Sequence, residues 1–253
     1  MKPIRVLAVG NSFSRNAMLH LHQIAAADGC DLTAVNLFIG GCSLERHMEN
    51  VRADARAYAI QRNGTETHEA SSIREALADG PWDFVTMQQC SGLSGIAQSY
   101  YPYLTELSAY IQSLAPEARR LIHETWAYES DASHAQFVNY GRDQRRMYEA
   151  LRDAYRRAGA ETGAPLIPVG DVIQALRERV PFFDYAHGGA ALTADGFHLT
   201  PDYGCFAAGL TWYAFLTGAD PEANPYSPAP DCDPAALAAI RKTVREVLGG
   251  RRA

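Results

Sequence analysis

This chain of 253 residues lacks the basic excess that a nucleic-acid-binding protein normally shows. Its 23 Lys and Arg residues are outnumbered by 29 Asp and Glu residues, which gives a formal net charge of −6 at pH 7. A basic face is the usual electrostatic requirement for binding nucleic acid, and an anionic membrane surface attracts the same positive charge. The composition therefore predicts neither nucleic acid nor a membrane among the partners.

Paired cysteine motifs are also missing. The five cysteines are odd in number and widely spaced, and no C-x-x-C occurs, so neither a zinc ribbon nor a thioredoxin-type site is indicated. Free thiols in a reducing compartment are the simplest interpretation. The first apolar run is too short for a signal-peptide core or a membrane span. We therefore predict a cytoplasmic protein.

Strand-like and helix-like segments alternate along the chain, which is the pattern of a parallel sheet covered by helices on both faces. No internal repeat or low-complexity linker interrupts the pattern, so residues 1–253 are predicted to form a single domain. The expected fold class is α/β, a three-layer α/β/α sandwich with a five-stranded parallel sheet. The predicted strands are 4–9, 32–39, 82–88, 120–125 and 166–169, and the predicted helices are 17–27, 43–62, 103–114, 134–158, 171–179, 201–216 and 234–248, with a loop at 62–72.

Small and polar residues follow the first three predicted strands. The sequences are Gly-Asn-Ser at 10–12, Gly-Gly-Cys-Ser at 40–43 and Gln-Gln-Cys-Ser at 88–91. In an open parallel sheet, sites form at the carboxyl ends of the strands, where these loops meet. We therefore expect the three segments to lie at one edge of the sheet. Ser12 is the candidate nucleophile there, whereas Ser14 is expected to cap the following helix.

A carboxylate and an imidazole lie three residues apart in the segment T-A-D-G-F-H-L-T-P near the C-terminus. This spacing lets Asp195 accept a hydrogen bond from Nδ1–H of His198, which leaves Nε2 free to take a proton from a hydroxyl. Serine is a weak nucleophile without such an oriented base. Ser12, Asp195 and His198 are therefore the predicted catalytic residues.

These motifs together resemble the SGNH (GDSL-like) hydrolase superfamily. V-G-N-S-F-S is similar to its first block, I-G-G-C-S to its second and D-G-F-H-L to its last. The chain is similar to a bacterial branch of the superfamily with G-N-S-F-S, G-G-C-S-L and Q-Q signatures. The resemblance implies that Ser12 attacks an ester, that the backbone N–H groups of Ser12 and Gly41 bind the oxyanion, and that no metal or organic cofactor is needed.

Two positions depart from the superfamily pattern. Asn11 stands where many members have aspartate, and the third block lacks the G-x-N-D whose asparagine donates to the oxyanion. Sialate and xylan acetylesterase branches have a glutamine at a similar place. By that resemblance, the Gln89 side chain is the expected third oxyanion donor, with Gln88 behind it. Gln88 is also a candidate for contact with the substrate.

Several alternatives remain open from the sequence. Trp126 and Tyr128, with Tyr100 and Tyr101, follow predicted strands and could bind substrate or simply form the pocket wall. Cys42 or Cys90 could be the nucleophile in place of Ser12. The resemblance implies a small-molecule or carbohydrate ester as substrate, and the leading class is O-acetyl groups on a carbohydrate. An acyltransferase using the same triad and a non-catalytic carbohydrate-binding protein are the alternative functions, and the oligomeric state is left open.

Overall fold

A central, mostly parallel β-sheet organises the fold. In the computed structural model, which describes residues 2–250, the sheet has seven strands in the order β4-β3-β2-β1-β5-β6-β7. The strands β1, β2, β5, β6 and β7 pair in parallel, whereas β3 is antiparallel to both of its neighbours. The strand bounds are β1 Ile4–Gly10, β2 Leu32–Phe38, β3 Tyr58–Arg62, β4 Thr65–Ser71, β5 Phe84–Met87, β6 Arg119–His123 and β7 Leu166–Ile167.

Helices cover both faces of the sheet. Their bounds are α1 Ser12–Met18, α2 Leu21–Ala27, α3 Leu44–Ala53, α4 Ile73–Ala78, α5 Tyr103–Leu114, α6 Gln144–Thr162, α7 Val169–Arg179, α8 Tyr203–Thr217 and α9 Pro234–Gly250. Helices α1, α2, α7 and α9 pack around α8, while α3, α4 and α6 pack against α5. The predicted α/β class with a helix-covered sheet is therefore confirmed. No helix within residues 2–250 is long and apolar enough to cross a membrane.

The prediction of five strands is wrong, because a β-hairpin lies within the segments predicted as helix 43–62 and loop 62–72. Helix α3 ends at Ala53, where Asp54 adopts a left-handed conformation with φ of 45°. Strands β3 and β4 follow, joined by Asn63 and Gly64, both of which have positive φ. An Asn-Gly pair with this conformation is the preferred two-residue hairpin turn.

Two predicted helices also differ from the structure at their starts. Residues Ala135–Tyr140 form a 3₁₀ helix that ends at Gly141, and α6 begins only at Gln144, after the cap Asp143. The first helical region is divided into α1 and α2. In both places the apolar periodicity of the sequence continues across a helix end or a turn. The periodicity therefore does not show where the helix begins or ends.

The carboxyl ends of β2, β1 and β5 are adjacent because these strands are neighbours in the sheet. One continuous cluster of buried apolar side chains extends from Val6 in β1 to Leu248 in α9. The three polar segments that follow these strands are thereby supported on a common, tightly packed base.

Candidate active site

Ser12 is the first residue of α1, directly after the turn that ends β1. Asn11 caps this helix: its Oδ1 accepts from the Phe13 backbone N–H at 2.9 Å. The Ser14 Oγ accepts from the Asn11 N–H at 3.0 Å and donates onward, so Ser14 belongs to the capping box. A Cβ on Gly10 would lie 2.0 Å from the Ser14 Oγ, which explains the glycine. The turn thus engages Ser14 and leaves the Ser12 hydroxyl available.

The structure brings Ser12, His198 and Asp195 into one chain of hydrogen bonds. His198 Nε2 lies 2.8 Å from Ser12 Oγ, and His198 Nδ1 lies 2.7 Å from Asp195 Oδ2. Asp195 Oδ1 accepts from the backbone N–H groups of Phe197, at 3.1 Å, and His198, at 2.7 Å. These contacts have the geometry of a nucleophile, a base and a group that orients the base.

Asp195 is held as a carboxylate. Partial burial raises its pKa, but hydrogen bonds from His198 and from the Phe197 backbone outweigh burial, and the pKa lies below its ordinary value. An ionised Asp195 can orient Nδ1–H and stabilise a positive charge on His198.

The loop that carries Asp195 and His198 is held by hydrogen bonds from the segment after β6. Trp126 Nε1 donates to the Phe197 carbonyl at 2.8 Å, and the Glu129 N–H donates to the Gly196 carbonyl at 2.7 Å. Glu129 is itself paired with Arg177 in a buried ion pair of 3.0 Å. The position of the imidazole is therefore fixed by backbone contacts as well as by Asp195.

A second Asp-x-x-His pair shows why the spacing alone is insufficient. Asp184 and His187 are also three residues apart and hydrogen-bonded at 2.9 Å, but the His187 side chain is 82% exposed. Neither residue lines the cleft that contains Ser12. Of these two pairs, the one at 195 and 198 is placed beside the Ser12 hydroxyl.

Two residues that line the cleft, Ser12 and Gly41, have backbone N–H groups without a hydrogen-bond acceptor within residues 2–250. Gly41 follows β2 with φ of +62°. Asn11 Nδ2 donates to the Cys42 carbonyl at 3.1 Å and so connects the two loops. This arrangement suits a developing oxyanion.

Gln89 is not available as the third donor, which contradicts the sequence-based assignment. Its side chain is fully buried, and Nε2 donates to the backbone carbonyl and the Oγ of Ser99 at 3.0 and 3.1 Å. Its Oε1 accepts from the Leu44 N–H at 3.0 Å. The first N–H groups of a helix have no partner within the helix, so Gln89 is used to complete the start of α3.

Gln88 lies beneath the Ser12 turn and does not line the cleft. Its Nε2 donates to Asn11 Oδ1 at 2.7 Å, and its Oε1 lies 2.7 Å from His123 Nδ1. Burial lowers the pKa of His123 to about 3, so the neutral ring donates to the amide. Gln88 thus positions Asn11, and the expectation that it contacts substrate is wrong.

Trp126 and Tyr128 form the floor below the cleft. Both side chains are fully buried, and the Trp126 ring stacks on Phe13 with centroids 4.2 Å apart. Tyr100 is also buried, with its hydroxyl donating to the Ser94 carbonyl. Direct substrate contact through these aromatic faces is therefore contradicted, and their place is under the residues that line the cleft.

The cleft has a volume of about 500 Å³ and includes several polar side chains that the sequence did not single out, among them Arg15 and Asn16. Ser91 and His134 line it, and Tyr128 joins them: its hydroxyl lies 2.8 Å from Ser91 Oγ and 3.2 Å from His134 Nδ1. Ser91 could have been found, because it follows β5 at the predicted edge. His134 could not, because its place depends on the path of the long segment after β6.

The cysteines near the cleft are protonated thiols. Burial, with a smaller effect from Cys90, raises the pKa of Cys42 to about 12. Its neighbour His47, at 3.5 Å, has a pKa lowered by burial to about 3, so the two do not form an ion pair. Burial raises the pKa of Cys90 as well. A thiolate is the reactive form of cysteine, so this chemistry disfavours a cysteine nucleophile.

The part of the chain that the structure describes contains no group of three His, Cys, Asp or Glu residues arranged to hold a metal ion.

Comparison with solved structures identifies similar proteins at two levels of sequence identity. The crystal structure of a DUF4886 family protein from Bacteroides uniformis is 37% identical, with a TM-score of 0.91 over 100% of this chain and 97% of that one. A candidate SGNH hydrolase from Slackia heliotrinireducens is 26% identical, with a TM-score of 0.55 over 85% of this chain and 100% of that one.

A lipase/acylhydrolase from Enterococcus faecalis shares the fold at 13% identity, with a TM-score of 0.55 over 85% of this chain and 96% of that one. The α/β fold of this chain therefore matches that of SGNH hydrolases. Comparison with curated proteins returned no match. The model of the family described as "Domain of unknown function (DUF4886)" matches residues 5–243. The chain belongs to the DUF4886 family.

Proposed function

We propose that this member of the DUF4886 family is a serine hydrolase that cleaves small esters through an acyl-enzyme on Ser12. The observation that carries the proposal is the chain of contacts from Ser12 Oγ to His198 and on to Asp195, at 2.8 and 2.7 Å, inside a cleft. Similarity to the SGNH hydrolase fold supports a hydrolase of that superfamily.

In the first half-reaction, Ser12 Oγ attacks the ester carbonyl while His198 Nε2 takes the hydroxyl proton. The negative charge that develops on the carbonyl oxygen is bound by the N–H groups of Ser12 and Gly41. The C–O bond to the leaving alcohol then breaks, and His198 gives the proton to that alcohol. In the second half-reaction, His198 removes a proton from water, which attacks the acyl-enzyme and releases the acid and free Ser12.

The oxyanion site has two backbone donors, since Gln89 is committed to Ser99 and Leu44. Loss of one donor from such a site typically costs about 2.7–4 kcal/mol of transition-state stabilisation. We therefore expect a slower catalyst than one with a complete third donor.

The proposed substrates are small, because a cleft of about 500 Å³ falls within the usual range for small-molecule sites. O-Acetyl groups on carbohydrates are the class suggested by the resemblance in sequence. All five cysteines are free and buried, which supports a reducing compartment, and we propose the cytoplasm.

The proposal is tested by steady-state hydrolysis of p-nitrophenyl acetate. Ser12→Ala should lower kcat by on the order of 10⁴-fold or more, since it removes the nucleophile. Asp184→Asn is the matched control, because it disrupts the exposed Asp-x-x-His pair and should leave the rate unchanged. A Ser12→Ala protein that retains the wild-type rate would overturn the proposal.

A further inference from the structure

Beside His198, the cleft-lining residues Ser91 and His134 are hydrogen-bonded to the buried Tyr128. His134 contacts Phe197 with ring centroids 4.9 Å apart, and Phe197 contacts His198 at 4.3 Å. The ring of Phe197 therefore lies between His134 and His198, and His134 lines the same cleft as Ser12. A substrate whose ester carbonyl lies at Ser12 can therefore contact Ser91 and His134.

Backbone geometry determines where His134 carries its proton. The Gln136 N–H donates to His134 Nδ1 at 3.2 Å, and a backbone N–H can act only as a donor. Nδ1 is therefore unprotonated, and the neutral ring has its proton on Nε2. Burial lowers the pKa of His134, and the neighbouring His198 lowers it further against an opposing effect of Asp195. The ring thus stays in the neutral, Nε2–H form.

Tyr128 reinforces this tautomer. Its hydroxyl is 3.2 Å from the unprotonated Nδ1, which can only accept, so the phenolic proton is directed to His134. The Ser91 hydroxyl, 2.8 Å from the phenolic oxygen, then donates to Tyr128. Ser91 is left with lone pairs free to accept from a group in the cleft.

Within residues 2–250 the hydrogen bonds of the His134 ring are made by Nδ1 and none by Nε2, and the ring lines the cleft. Two residues that line the cleft therefore offer a donor, on His134, and an acceptor, on Ser91. A donor beside an acceptor is complementary to a hydroxyl group, and the donor alone is complementary to an ether oxygen.

We infer that His134 is a specificity-determining residue that donates to a second oxygen of the substrate, and that Tyr128 is the residue that positions it. The inference rests on the proposed ester hydrolysis and specifies its substrate class: esters with a hydroxyl or ether oxygen near the scissile bond, in preference to hydrocarbon esters. A site with a fixed polar group rejects an analogue without the partner atom, because the group is left unpaired.

The test uses two pairs of esters that differ by one oxygen in place of a methylene. The acyl pair is p-nitrophenyl methoxyacetate and p-nitrophenyl butanoate, and the alcohol pair is 2-methoxyethyl acetate and butyl acetate. The kcat/KM ratio within each pair is compared between wild type and variants, so that intrinsic reactivity cancels.

We expect His134→Phe to reduce the preference for the ether substrate about tenfold in at least one pair. His134→Gln keeps an N–H donor and should retain part of the preference. Tyr128→Phe should reduce the preference while both esters of the pair are still hydrolysed. His187→Phe, an exposed histidine, is the matched control and should leave the ratios unchanged.

Ratios in His134→Phe equal to those of the wild type in both pairs would overturn the inference while leaving the hydrolase intact. If the wild type hydrolyses none of the four esters, the proposed function fails, and this inference fails with it.

Discussion

At the scale of single residues, chemistry in this cleft depends on which polar atoms the fold leaves uncommitted. Ser12 and Ser14 are two residues apart in one helix, yet Ser14 is used in the capping box while Ser12 Oγ meets His198. Gln89 fails as an oxyanion donor for the same reason, since its side-chain nitrogen is directed to Ser99. Availability of the atom, as well as residue type, decides the role.

Asp195→Asn tests the orienting carboxylate. We expect kcat to fall by roughly 10⁴-fold, because an amide in place of the carboxylate favours the wrong imidazole tautomer. The fold should persist, since the side chain is partly exposed. Steady-state kinetics and circular dichroism check these two expectations. An unchanged kcat would show that Asp195 has only a structural role.

The same variant has a pH signature. Because the pKa of Asp195 is depressed in the folded state, its contribution to stability is present above the pKa of the unfolded chain. That contribution is lost as the pH falls through the folded pKa. The stability difference between wild type and Asp195→Asn in denaturant titrations should therefore shrink in acid, and a difference that grows in acid would contradict this view.

The residues predictable from sequence are those whose relation is local. Asp195 and His198 are joined within one turn, and Ser12 directly follows a strand, so short spacings indicate their grouping. The role of Gln89 depends on an unpaired helix N–H at Leu44, 45 residues earlier in the chain. His134 enters the cleft through the path of an irregular segment, and no local pattern predicts that.

At the scale of elements, the oxyanion contact that we propose for the Gly41 N–H requires the loop after β2 to keep its left-handed turn. Gly41 has φ of +62°, whereas its neighbour Gly40 lies outside the left-handed region. A Cβ added to Gly40 would meet only one atom of Phe38, at 4.0 Å, which is an ordinary contact. An L-residue in the left-handed conformation costs roughly 1–2 kcal/mol, so a side chain is costly at Gly41 and tolerated at Gly40.

Gly41→Ala should therefore lower stability by about 1–2 kcal/mol and, by displacing the N–H, lower kcat by up to about 10²-fold. Gly40→Ala is the matched control and should change both quantities far less. Urea unfolding and p-nitrophenyl acetate kinetics measure the two effects. Equal effects of the two substitutions would argue against Gly41 as the second donor.

The β3–β4 hairpin shows which elements a periodicity argument misses. An apolar spacing compatible with a helix continues past Ala53, but Asp54 ends the helix and Asn63-Gly64 forms a hairpin turn. The Asn-Gly signal is present in the sequence, within a polar segment whose composition indicates a loop. The five parallel strands are easier to predict, because each contains consecutive apolar residues that are buried or partly buried.

At the scale of the whole molecule, one apolar cluster connects the first strand to the last helix. Trp82, Trp126 and Trp212 all belong to it, although they lie far apart in the chain. We propose that residues 1–253 form a single domain. Urea unfolding followed by tryptophan fluorescence and by far-ultraviolet circular dichroism should then give coincident transitions. Two separated transitions would indicate two independently folding units.

The central claim, a serine nucleophile at position 12, is tested most directly by mapping where a fluorophosphonate reacts. The probe phosphonylates an activated serine oxygen and releases fluoride, and the modified peptide is located by digestion and mass spectrometry. We expect one adduct, on Ser12, in the wild type and none in Ser12→Ala. An adduct on Cys42, Cys90 or a different serine, or an unlabelled wild-type protein, would contradict it.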